Sequence, residues 1–94
     1  MIRVRVHRRP LKRLNEFGQW ERAKQILETR ELLAQCIPGH GIDVYFPVND
    51  VRVFNKTNGI GRGLMRDWYI EPADHVALLT KEEKPSVVPP SSNG

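Results

Sequence analysis

Residues 42–79 limit what this chain can fold into more than any other stretch. Turn-forming residues interrupt them every few positions: Pro47, Asn49-Asp50, Asn58-Gly59, Gly61, Gly63 and Glu71-Pro72. Between these breaks lie short runs rich in β-branched and aromatic residues, which favour strands. Residues 42–46 (Ile-Asp-Val-Tyr-Phe) form the first expected strand, with Pro47 at its end. Residues 51–55 form the next, with Val51, Val53 and Asn55 on one face and Arg52 and Phe54 on the other. Asn58-Gly59 is a strong turn signal. A third strand is expected over 65–70, a short helical turn over 72–75 and a last strand over 76–79.

The chain ahead of this block supplies a strand and a helix. Ile2-Arg3-Val4-Arg5-Val6-His7 alternates apolar and cationic residues, which predicts a strand with Ile2, Val4 and Val6 inward. Arg3, Arg5 and His7 would then line its outer face, about 7 Å apart. Pro10 ends strand pairing. Trp20, Ala23, Ile26, Leu27, Leu33, Ala34 and Ile37 recur at three- and four-residue spacing, which predicts one long helix over residues 16–35 with Trp20 on its buried stripe. Pro38-Gly39 would stop it. The expected fold is therefore α+β: a small, bent antiparallel sheet with one long helix from the N-terminal half packed on it. Residues 1–81 form the expected single domain, and the Pro/Ser-rich residues 82–94 an extended or disordered tail.

One short stretch sharpens the sheet. Tyr69-Ile70-Glu71-Pro72-Ala73-Asp74-His75-Val76 resembles the closing strand, helical turn and final strand of SH3-like barrels, which usually end Tyr-Ile-Pro-x-x-x-Val. The resemblance covers about eight residues, with one residue inserted. It implies a partly open SH3-like barrel; no peptide-binding residue is carried over, because fold alone does not carry function.

Composition narrows the class. With 39% hydrophobic and 28% charged residues the chain belongs with folded soluble proteins rather than disordered ones. The single cysteine, Cys36, rules out an intrachain disulfide and fits a reducing compartment. The longest apolar run, residues 76–79, is too short to span a membrane. A cytoplasmic location is the expectation. The net charge of +4 is unevenly spread: residues 1–13 hold six cations and no acid, while the remainder is nearly balanced.

That asymmetry makes Arg3, Arg5, Arg8 and Arg9 the leading binding candidates, since guanidinium groups pair with phosphates or carboxylates in a bidentate fork. Arg62 joins them from the loop Gly59-Ile60-Gly61-Arg62-Gly63, whose backbone N–H groups would also suit an anion. This loop lacks the Gly-Lys-Ser/Thr ending of a phosphate-binding loop, and no helix follows where a dinucleotide fingerprint needs one. Adjacent on a strand, Trp68 and Tyr69 must face opposite ways, so these aromatics are candidates for an interface. Cys36, His40, His75 and Asp74 show no spacing that makes a metal site or a catalytic set. The expectation is a non-enzymatic protein without cofactor that contacts nucleic-acid backbone, or an acidic protein surface, through its basic N-terminal strand. The alternative is a structural or regulatory subunit of an oligomer or larger assembly, of the kind viruses encode, held by exposed aromatics and the C-terminal tail.

Overall fold

A computed structural model of the protein describes residues 1–12 and 16–80 in full and the backbone of residues 81–83. Its centre is β1 (Ile2–Arg8), which pairs on both sides. Val4 and Val6 are fully buried, as the alternation predicts. On one side β1 runs antiparallel to β4 (Glu28–Ile37) through seven residue pairs, from Ile2 opposite Ala34 to Arg8 opposite Glu28. On the other it meets β7 (Trp68–Ile70). β5 (Gly41–Phe46) and β6 (Asp50–Phe54) extend the sheet beyond β4, giving the order β6-β5-β4-β1-β7. The sheet curls into a half-barrel around a core that includes Ile42, Val44, Phe54 and Ile70.

Residues 59–61 join the two edges. Ile60 bridges to Tyr69 on β7, and Gly61 bridges to Phe54 on β6. Gly61 is required there: a side chain would press on the main chain of Met65. A single 3-10 turn, Gly63–Met65, then leads into β7. The expected strand over 65–70 is therefore shorter, starting at Trp68.

The long helix expected over 16–35 does not form. Glu28–Ile37 is a strand instead, with even-numbered side chains turned inward and Leu33 outward. Glu, Leu, Ala and Gln favour a helix locally. Here that preference loses to ladder pairing on both edges, with β1 and with β5. Arg30 shows how a strand accommodates an inward cation. Its guanidinium lies 5.5 Å from the Trp68 ring centre and 5.8 Å from that of Phe46, and its Nε donates to Glu28 at 2.6 Å. Residues 9–12 and 16–27 belong to an arm whose base is a two-residue ribbon, β2 (Leu11–Lys12) paired with β3 (Glu21–Arg22). Trp20, expected in a core, is 60% exposed on this arm.

The helix lies at the other end of the chain. α1 (Pro72–Glu83) takes in both the expected helical turn and the expected last strand. Pro72 suits a first helical position, and Asp74 in the first turn suits the helix dipole. Ile60 already bridges the outer edge of β7 at Tyr69, and residues 76–79 pair with no strand among the described residues. They bury Leu78 in the core as a helix instead, against β4 and β1. Tyr69-Ile70 thus belongs to the last strand of the sheet, and the helical turn of the half-barrel precedes it. Glu82 and Glu83 continue α1; the rest of the expected tail lies outside the described residues.

Candidate nucleic-acid interface

The five candidate arginines do not share one surface. Arg3 and Arg5 are exposed on the outer face of β1, as expected. Arg5 is drawn to the helix: its backbone N–H donates to Asp74 Oδ2 at 3.0 Å and its Nε donates to the same oxygen at 3.3 Å. Arg8 is half-buried, opposite Glu28 on one side and Trp68 on the other. Arg9 anchors the arm. Its Nε donates to the Ala23 carbonyl at 2.7 Å, and its guanidinium lies 5.9 Å from the centre of the Tyr69 ring.

His7 departs from the expected exposed strip. It is only 7% exposed, and both ring nitrogens are engaged: Nδ1 lies 2.8 Å from Thr29 Oγ1 and Nε2 lies 2.6 Å from Glu71 Oε1. An ionised carboxylate only accepts, so Nε2–H donates to Glu71. The cover comes from Glu71 at the helix entry and from the Tyr69 ring, 5.3 Å away. His7 is thus a satisfied part of the frame. His40 and His75 are likewise occupied, by Asp43 and by the Lys56 carbonyl. Among the described residues, no three His, Cys, Asp or Glu side chains gather into a metal-binding group. Cys36 is a buried core residue.

In the glycine loop the fold consumes the amides of residues 59–62. Gly59 N–H donates to the Asn55 carbonyl, Ile60 N–H to Asn58 Oδ1, Gly61 N–H to the Trp68 carbonyl and Arg62 N–H to the Val53 carbonyl, at 2.8–3.2 Å. These bonds turn the loop into the seam between β6 and β7. The side chains it carries remain available.

Those side chains face a groove that the arm completes. An open cavity of about 350 Å³ is lined by Arg62 and Arg66 from the closing segment, Asn55 and Asn58 from the turn before it, and Leu11 and Arg22 from the base of the arm. No acid lines it. Arg22 is fixed by its Nη1, which donates to the Arg9 carbonyl at 2.8 Å and to the Arg66 carbonyl at 3.0 Å. Arg62 Nη2 donates to the His40 carbonyl at 3.2 Å. Among the described residues, none of the three arginines is in an ion pair. A larger cavity of about 560 Å³ runs along the arm and shares Arg22; Lys12 and Lys24 line it together with Glu21. Among the described residues, five cations therefore border the two hollows against one acid.

Arg62 is the only sequence-level candidate that this groove contains. Arg22 and Arg66 had no sequence signal: Arg22 reaches the groove only because the arm folds back, with Arg9 N–H held by the Asp67 carbonyl at 2.7 Å. Trp68 is 9% exposed beneath Arg30, and Tyr69 is half-buried between His7 and Arg9. No described helix is long and apolar enough to cross a membrane. Comparison with known proteins finds no matching family model, no matching curated protein and no matching solved structure.

Proposed function

We propose that this chain is a small non-enzymatic binding protein whose arginine-lined groove holds the phosphate backbone of a nucleic acid. The observation that carries this reading is the convergence of Arg22, Arg62 and Arg66 on one groove with no lining acid among the described residues. Guanidinium forks match phosphate oxygens, and Asn55 and Asn58 add neutral donors. Lys12 and Lys24 extend the positive border along the arm. The basic N-terminal strand then acts at longer range: Arg3 and Arg5 raise the local concentration of a polyanion, while Arg8 and Arg9 serve the frame. Bridging of the sheet edges through Ile60 and Gly61 supports reading the half-barrel as SH3-like.

The test is fluorescence anisotropy of labelled DNA and RNA oligonucleotides titrated with the protein. Binding at low salt that weakens steeply as salt rises is expected, with Arg62→Ala and Arg66→Ala each weakening it further. Absence of binding to either nucleic acid at low salt would overturn the proposal.

A second reading, a subunit of a larger assembly, is favoured by one specific feature. Leu33, Tyr45 and Val51 lie side by side across β4, β5 and β6 on the outer face, and Leu33 and Val51 are exposed. Self-association or partner binding through this row would resist salt, so sedimentation at high salt separates the two readings.

A further inference from the structure

The geometry points to a single strand as the ligand of this groove, with its bases stacking on Trp20 of the arm; this rests on the phosphate-binding reading above. Trp20 is 60% exposed and Phe17 76%. Tryptophan usually hides most of its surface, so its display here calls for a partner surface. Trp20 lies two residues before Arg22, one of the groove cations, which places it about 7 Å further along an extended chain. A ring at that distance from a cationic recess matches how single strands are held, with phosphates tracked by cations and bases stacked on aromatic faces.

The groove cations sit at the base of the arm, in a recess of about 350 Å³ that a backbone can thread but a double helix cannot enter. No other tryptophan competes for the role, because Trp68 is buried against Arg30 and Phe46.

The two tryptophans also make the inference measurable. Oligothymidylate and oligouridylate serve as single-strand probes, and a mixed-sequence DNA hairpin as the duplex probe, titrated at about 50 mM salt, where phosphate contacts are strong. Single strands are expected to bind more tightly than the hairpin and to quench the emission of exposed Trp20. Trp20→Ala should weaken single-strand binding roughly 5- to 150-fold, the range of one lost base–aromatic stack. Trp20→Phe should recover much of it, and hairpin binding should stay the same. The ring is mostly in solvent, so an unchanged unfolding midpoint will show that Trp20→Ala is folded. If Arg62→Ala weakens binding and Trp20→Ala does not, stacking is refuted and the phosphate groove stands. Equal loss for hairpin and single strand refutes the preference for single strands. If no probe binds, both readings fall together.

Discussion

Replacing Gly61 by alanine tests the seam that closes the half-barrel. A Cβ at this position would sit 2.8 Å from Met65 Cβ and 2.9 Å from its carbonyl carbon, and nearer still to the carbonyl oxygen. Carbon atoms pack at about 3.5–4.0 Å, so the two segments must part by at least about 0.6 Å. All three obstructing atoms are main chain or directly attached to it, and none can swing aside. Parting them strains the bond from Gly61 N–H to the Trp68 carbonyl at 2.9 Å and that from Arg62 N–H to the Val53 carbonyl at 3.2 Å. Overpacking of this kind costs about 1–3 kcal/mol, and each weakened bond adds about 0.5–1.5 kcal/mol. The expected loss is about 2–6 kcal/mol, a large part of the roughly 4–12 kcal/mol that a domain of this size holds. Gly63→Ala is the control: its φ of 56° also disfavours a side chain, but no atom lies within 4 Å of the new Cβ. It should cost only about 1–2 kcal/mol. Urea unfolding followed by the emission of buried Trp68 measures both. If Gly61→Ala costs no more than Gly63→Ala, the seam does not close as described.

Three further outcomes follow from named contacts. Val48 and Asn49 both have positive φ, at 56° and 58°, in the turn between β5 and β6, and a β-branched residue is strained there; replacing the pair by Asn-Gly should raise stability by about 1–2 kcal/mol, and an unchanged or lower melting temperature would refute the strain. With three arginines on a single strand, the salt slope should be about −2, a loss of roughly 20-fold in affinity between about 50 and 200 mM salt; Arg66→Ala should reduce this to roughly 7-fold, and an unchanged slope would remove Arg66 from the contacts. Asp74→Ala should cost about 1 kcal/mol in urea unfolding, because the Arg5 backbone N–H loses its acceptor, while Asp74→Asn, which keeps an accepting oxygen, should cost less; equal losses would mean that only charge matters.

The sequence was readable where one face of a strand is buried and the other wet. β1, β5 and β6 fall where alternation or turn residues place them, because a one-residue slip would turn their apolar side chains outward. It was misleading for Glu28–Ile37, whose composition suits a helix and whose strand state is imposed by neighbours on both sides. The same misreading hid the arm, since Trp20 and Ile26 looked like one helical stripe with Leu33. The last segment failed for a related reason. Residues 76–79 favour a strand locally, but burying Leu78 against β4 and β1 holds them in a helix. The groove was least visible of all. Its residues come from positions 11, 22, 55, 58, 62 and 66, brought together by the folding back of the arm and by the seam at 59–61. Neither spacing nor charge runs encode such a meeting; only the cationic character of the chain hinted at its chemistry.

The seam and the groove are built from the same residues, and this fixes how an anion can be held. Because the amides of residues 59–62 close the half-barrel, they are not free to bind phosphate, and the work falls to side chains. Flexible arginines would lose rotamer freedom on binding, at about 0.5–1.5 kcal/mol for each side chain ordered. Two of these arginines are already ordered by carbonyl contacts: Arg22 by Arg9 and Arg66, Arg62 by His40. A guanidinium has five N–H donors, so such anchoring still leaves donors for a ligand. The carbonyls that hold them belong to the arm base, to the segment leading into β7 and to the turn between β4 and β5. A phosphate seated on both arginines therefore ties together the same pieces that the seam joins. On the proposed reading, ligand binding and closure would reinforce one another, and binding should raise the unfolding midpoint with the logarithm of one plus the ratio of free ligand to Kd, so that it continues to rise after the site is full.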